Sequence, residues 1–271
     1  FIIISALVSE EFFHTWGWRI PFLASAALIG ISMYVQLNLE DTRAFKELEA
    51  LREKRQEYEF DTPKLAGRSP VLEAISKYPR RIFLAAGAFL SIQVTFYILA
   101  VFLLTYGVTS AGMSRAEMLA AILIASALMI PAQFLASAYS DRHGRRGVFM
   151  LGAVLTALWA FVLFPLVDTG NFWLTVLAIT GGQAFLAMMY GPQAALFTEL
   201  FSTEVRYSGA SLGYQFGAII GGALAPTIAT KLWTEYDVIW VSVYIAFASI
   251  LTLLSVMMLA ETYKSSLTDT K

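Results

Sequence analysis

Ile82-Phe83-Leu84-Ala85-Ala86-Gly87-Ala88-Phe89-Leu90-Ser91-Ile92-Gln93-Val94-Thr95-Phe96-Tyr97-Ile98-Leu99-Ala100-Val101-Phe102-Leu103-Leu104-Thr105-Tyr106 contains no charged side chain, and the uncharged run continues to Ser114. A helix rises 1.5 Å per residue, so about 20 such residues cross the hydrocarbon core of a bilayer. Six more uncharged stretches of comparable length follow from the sequence: 20–39, 118–140, 147–167, 170–198, 207–230 and 238–260. Seven of them in 271 residues exclude an ordinary water-soluble domain. The first eight residues are apolar but lack a basic leader and a cleavage site. They are expected to be the end of a hydrophobic helix rather than a signal peptide.

Composition agrees. The chain is 58% hydrophobic and 14% charged, against about 25% charged in soluble domains. The charges are also segregated: residues 40–81 carry 19 of them. A net charge of −1 gives no reason to expect a nucleic-acid partner. The chain has no cysteine, which removes disulfides, thiolate catalysis and cysteine metal sites. The two histidines, His14 and His143, lie far apart in sequence, and the sequence offers no ligand set to complete a site with either, so neither a metal nor any other cofactor is expected.

Orientation follows from Lys and Arg in the loops. Sixteen of the 19 fall on one side, in 40–81, 139–147, 199–208 and the tail; only Arg19, Arg115 and Lys231 fall on the other. The long loop, the short basic loops and the C-terminus are therefore expected in the cytoplasm. Trp16, Trp18, Trp173, Trp233 and Trp240 lie at span ends, as interfacial aromatics do. Residues 40–60 alternate acids and bases three and four apart, the pattern of a solvated amphipathic helix. Gly67 and Pro70 end it.

Residues 38–42 and 259–262 echo each other, placing an acid and a threonine at the basic-loop end of a span. Such echoes mark repeated halves. The expected organisation is a remnant of an N-terminal helix bundle (1–39), an inter-bundle loop (40–79), a six-helix transmembrane bundle (80–263) and a tail (264–271). Membrane lipids and the missing N-terminal bundle are the expected partners.

The loop Tyr139-Ser140-Asp141-Arg142-His143-Gly144-Arg145-Arg146-Gly147 packs an acid and three guanidiniums between two spans. Gly144 admits a turn that a Cβ would obstruct. Guanidiniums can clamp carboxylates bidentately, and Glu199 and Glu261 fall on the same side. Asp141, Arg142, Gly144, Arg145, Arg146, Glu199, Arg206 and Glu261 are thus a candidate gating cluster, closed when the helix ends meet and broken when they part. Asp141–Arg146 resembles the cytoplasmic-loop signature of the major facilitator superfamily. That signature expects Gly four residues before the acid, where this chain has Ser137.

Trp16–Leu23, Tyr190–Ala195, Glu199–Tyr214 and Gly221–Pro226 narrow the resemblance to its metabolite:proton symporter group. The resemblance covers essentially the whole chain. It implies an all-α, polytopic, twelve-helix transporter working by alternating access. Here the second six-helix bundle would be present with the sixth helix and a stub of the fifth. It also implies a bacterial inner-membrane location, protons as the coupling partner, and a small organic acid or zwitterion as substrate.

Substrate sites in such folds lie near the midplane. Gln93, Tyr97, Gln183, Tyr190, Gln193, Tyr214 and Gln215 are the polar candidates. Each has the alternative of being helix–helix glue, worth about 1 kcal/mol. Gly213, Gly217 and Gly221 recur at the spacing of a close helix crossing, and Pro131, Pro192 and Pro226 are expected kinks. No Asp, Glu, Lys, Arg or His lies deep in a span after the loop. An intramembrane enzyme would need such a constellation, so no enzymatic activity is expected. The missing proton-titrating group is expected in the absent first bundle. A seven-helix sensor or receptor without transport activity is the alternative.

Overall fold

Helix formation follows directly from the apolar runs, because a span must satisfy its own backbone polar groups inside lipid. The structure, a computed structural model, describes residues 9–38, 70–201 and 205–261. The helix expected over 40–60, the stub at 1–8, most of the 38–42 echo and the tail lie outside the described residues. The chain divides into two compact units, 1–60 and 61–271.

In the first unit, α1 (Glu10–Thr15) leads through one 3-10 turn into α2 (Ile20–Asn38). Ser9 caps α1 by accepting the Phe12 N–H. Arg19 donates to the Thr15 carbonyl at 2.5 Å, with its guanidinium 4.4 Å from the centre of the Trp18 ring. That arrangement suits an interfacial anchor.

Among the described residues the second unit starts with α3 (Pro70–Lys77). The next span is α4 (Pro79–Tyr97), a π turn (Ile98–Phe102) and α5 (Leu103–Thr109). Then come α6 (Arg115–His143), α7 (Arg145–Val167) and α8 (Phe172–Glu199). A further span comprises α9 (Arg206–Gly217), a second π turn (Ala218–Ala223) and α10 (Ala225–Glu235); α11 (Val238–Met257) follows. Among the described residues, seven segments, the helix Gly17–Asn38 included, are long and apolar enough to cross a membrane, and no strand occurs.

Starts are set by local chemistry. Ser114 and Glu117 form a reciprocal capping box on α6, Asn171 caps α8 through Trp173 and Leu174, and Asp237 caps α11 through Ile239. Each cap satisfies N–H groups that have no partner within the helix. Pro131 and Pro192 sit inside α6 and α8, which continue through them. Pro226 follows a break at Leu224. Lacking an N–H, it cannot bond the Gly222 carbonyl four residues back, which accounts for the interrupted ladder there.

Two apolar clusters fill the unit. One gathers Ile98, Phe102, Tyr106, Phe164, Val241 and Ala229. The other gathers Ile82, Phe89, Phe149, Leu196, Phe201 and Val256, towards the basic loops. Trp233 is the one tryptophan of the expected belt that the structure turns inward. It lies one and two helical turns beyond the buried Ala229 and Ala225, and packs on Phe102 and Tyr106.

Hydroxyls tie α4 to α11. Ser91 N–H donates to Thr252 Oγ1 at 3.0 Å, Ser91 and Ser249 share a 2.8 Å bond, and Thr252 donates to the Gly87 carbonyl at 2.8 Å. The outward surface is apolar: Phe83 is 78% exposed and Phe134 73%. Such faces require lipid or another bundle rather than water.

Candidate functional site

Two groups of polar residues are assembled in the second unit. The first lies at the basic-loop end. α6 and α7 are joined by the single residue Gly144, at φ +107° and ψ 138°. That backbone region is almost closed to side chains, and Gly144→Ala is expected to cost about 1–3 kcal/mol. A lowered unfolding temperature in detergent would register it.

The tight turn puts Arg145 at the start of α7, facing the end of α8. Its Nε donates to Glu199 Oε2 at 2.9 Å, and its Nη2 stands 2.7 Å from Oε1. This is the bidentate geometry that matches guanidinium to carboxylate. Asp141 adds a third contact, 2.8 Å from Nη1. Arg145 and Glu199 are only 14% and 10% exposed at the side chain, whereas Asp141 is 55% exposed.

Glu261, beyond the end of α11, reaches the same turn. Its carboxylate accepts the backbone N–H of Arg145 at 3.2 Å and of Arg146 at 3.1 Å. It is thus the N-terminal cap of α7, supplied from 116 residues away. An anion at a helix start gains from both the free N–H groups and the dipole. Arg146 reaches back to the Met257 carbonyl at the end of α11. Arg142 is exposed and joins no ion pair among the described residues. Arg206, at the start of α9, is partly buried. His143 stacks on Tyr139, with ring centres 4.2 Å apart.

Sequence reading missed Arg81. Its Nη1 donates to the Leu200 carbonyl at 2.6 Å and its guanidinium lies over Tyr78. It thereby closes the C-terminus of α8, where a cation is favoured. The cluster as a whole ties the ends of α4, α6, α7, α8 and α11 within one unit.

The second group lies deeper. Gln93 and Tyr97, in the last turn of α4 and so in the middle of its span, project towards the π turn of the facing span; a Cβ on Gly222 would stand 3.1 Å from Gln93 Nε2 and 2.9 Å from Tyr97 Cε2. Nearer the basic loops, Tyr190 of α8 and Tyr214 of α9 both approach the ring of Phe89. Phe89 lies between them, 4.2 Å from the Tyr214 ring centre and 6.4 Å from that of Tyr190. Gln93 is buried, Tyr97 and Tyr190 are partly buried, and Tyr214 and Gln215 are exposed.

Gln193 is buried on α8. Gln183 stands apart from this group. It donates to Ser126 Oγ of α6 at 3.3 Å, and its Oε1 is buried without a partner. The three seam glycines meet α4: a Cβ would come within 2.6 Å of Ala85 Cβ at Gly213, 2.8 Å of the Ala86 carbonyl at Gly217, and 2.8 Å of the Leu90 carbonyl at Gly221. No group of three or more His, Cys, Asp or Glu able to hold a metal occurs among the described residues.

The model of the family described as Major Facilitator Superfamily matches residues 1–210 and again 126–270. The chain belongs to the major facilitator superfamily. Its spans fit the C-terminal half of that fold. Among its superfamily relatives, "Inner membrane metabolite transport protein YhjE" of Escherichia coli (strain K12) is 33% identical, over 98% of this chain and 59% of that protein. "Shikimate transporter" of the same organism is 30% identical, over 97% and 58%. "Proline/betaine transporter", also from Escherichia coli (strain K12), is 29% identical, over 85% and 45%. The chain thus spans less than two thirds of the length of these relatives. The names of all three describe transport.

Proposed function

We propose that this chain is the C-terminal portion of a secondary active transporter. The transporter moves a small organic acid or zwitterionic metabolite across the bacterial inner membrane, with the C-terminus cytoplasmic. Transport proceeds by proton symport and alternating access. Relatives whose names describe transport of metabolites, shikimate, and proline or betaine support the class of cargo.

The observation that carries the reading is the mid-span wall of Gln93 and Tyr97, brought against a glycine of the facing helix. An amide and a phenol offer donors and acceptors to a polar solute without holding it by charge. Tyr190, Gln193, Tyr214 and Gln215 extend the wall in this reading, whereas Gln183, turned to Ser126, lies apart from it. The spans after residue 70 hold no Asp, Glu, Lys, Arg or His in their middles. The group that binds the coupling proton therefore belongs to the other bundle, which is also the partner that completes the site.

The Arg145–Glu199–Glu261 cluster, with Asp141, Arg142, Gly144, Arg146 and Arg206, acts in this reading as the cytoplasmic clamp of the bundle. The glycine seam at 213, 217 and 221 is the close packing that lets α9 stay against α4 as access alternates.

The test is uptake by the complete transporter in tight proteoliposomes, with labelled dicarboxylates, keto acids, shikimate and betaines, under an inward proton gradient. Accumulation of one compound, abolished by a protonophore, is the expected result. Gln93→Ala and Tyr97→Phe are each expected to raise KM about 3- to 10-fold, the worth of an uncharged hydrogen bond or a little more. Residues 1–271 alone are expected to transport nothing, because one wall does not make a site. Uptake by that chain, or a KM untouched by either substitution, would remove the reading.

A further inference from the structure

Resting on that reading of Gln93 and Tyr97, we propose that Gly222 is a positioning and specificity-determining residue. Its missing side chain leaves the space into which the Gln93 amide and the Tyr97 ring project, and so fixes how large a substrate can lie against them.

Gly222 differs from the seam glycines in what surrounds it. A Cβ at Gly217 or Gly221 would collide with backbone, the carbonyl oxygens of Ala86 and Leu90, each at 2.8 Å. These two glycines set how closely the helix backbones approach. A Cβ at Gly222 would instead meet side-chain atoms: Tyr97 Cε2 at 2.9 Å, Gln93 Nε2 at 3.1 Å and Tyr97 Cδ2 at 3.3 Å. Those atoms are the tips of the groups that would touch cargo. Any atom added at 222 must move them or take their room.

The backbone explains why two successive glycines serve different ends. Four residues at about 100° each overshoot a full turn by roughly 40°, so a strict four-residue seam walks around an α-helix. The π turn Ala218–Ala223 packs more residues into its turn. It brings both Gly221 and Gly222 to the α4 side, and both are buried. On α4 a second π turn, Ile98–Phe102, begins directly after Tyr97. Single π turns inside helices are frequent at functional sites, and here one contains Gly222 while the other begins directly after Tyr97.

The experiment uses the complete transporter and the compound that the uptake panel identifies. Gly222→Ala is expected to keep the wild-type unfolding temperature in detergent. It is expected to raise KM about tenfold, the scale of one misplaced methylene in a pocket, with kcat changed less than twofold. Analogues of the cargo enlarged by one methyl should lose more as competitors than the cargo itself does. In a Gln93→Ala, Tyr97→Ala background the effect of Gly222→Ala should largely vanish, since the atoms it displaces are gone.

An equal KM rise in both backgrounds, a loss confined to kcat, or no change in KM would each overturn the proposal. Should Gly222→Ala alone fail to fold, the combination with Gln93→Ala and Tyr97→Ala must restore folding. If the triple variant also fails, the collision is with backbone and the proposal falls. A KM indifferent to Gln93→Ala and Tyr97→Ala alone would overturn the site reading, and the role of Gly222 with it. A KM that responds to those two but not to Gly222→Ala would overturn the role of Gly222 alone.

Discussion

Arg145→Ala is expected to lower the unfolding free energy of the second unit by about 3–5 kcal/mol, the usual cost of removing one partner from a buried ion pair. The cost lies less in the lost attraction than in what stays behind. Glu199 is 10% exposed and takes two of its contacts from the Arg145 guanidinium, at 2.9 Å and 2.7 Å. Without them a mostly buried carboxylate loses its bidentate partner.

Asp141 contributes little to this total, because at 55% exposure its pairing is screened by solvent. Arg145→Lys keeps the charge but loses the planar fork, so an intermediate loss is expected. Thermal unfolding of the variants in detergent orders them. Equal stability of wild type and Arg145→Ala would show that the pair is solvated and not the clamp described.

The second large effect is expected at Gly217. Leucine there must place its Cβ 2.8 Å from both the Ala86 carbonyl oxygen and Phe89 Cβ. Neither can swing aside: one is backbone of α4, and the other sits at the root of a fully buried ring. α9 must therefore leave α4, opening the contact that also carries Tyr214 against Phe89. Overpacking of this kind costs about 1–3 kcal/mol and occasionally more. Gly217→Leu belongs at or above the upper end because the helix backbones themselves are displaced.

Gly147 supplies the control. It lies inside α7 with open space where a Cβ would go. Gly147→Ala should be neutral or gain roughly 0.5–1 kcal/mol from helix propensity. If both substitutions lowered the unfolding temperature equally, packing along the glycine seam would not be the cause.

Much of this was legible in the chain itself. Uncharged runs of 20 or more residues dictate membrane helices, because a backbone in hydrocarbon must bond to itself. All seven such runs coincide with long apolar helices, to within a few residues at their ends. The local caps at Ser114, Asn171 and Asp237 use side chains two or three residues from the N–H groups they satisfy. The Asp141–Arg146 motif needed only its composition and a glycine to announce a charged turn, and that glycine is the residue with positive φ at the turn.

Other features were hidden because their causes lie far apart in sequence. Glu261 looks like one more acid at a helix end. Only the tertiary fold carries it to the first N–H groups of α7. Arg81 looks like one more loop cation, and only packing sets it on the carbonyl of Leu200, the C-cap of α8. Gln183 sits mid-span like Gln93, yet it faces Ser126 on α6 rather than the wall.

Nothing in Ile98–Phe102 marks a π turn: it contains neither Gly nor Pro. Trp233 belongs by position to an interfacial belt, but Phe102 of the first π turn and Tyr106 of α5 draw it in. The sequence alone thus determined which segments are helical, where they begin, which family they belong to and where charge is tolerated. These depend on local hydrophobicity, on hydrogen bonds within a few residues and on a contiguous motif. The tertiary structure decided which polar group meets which, and which glycine separates backbones rather than side chains. Those outcomes depend on helix rotation and depth, set by packing across the whole bundle.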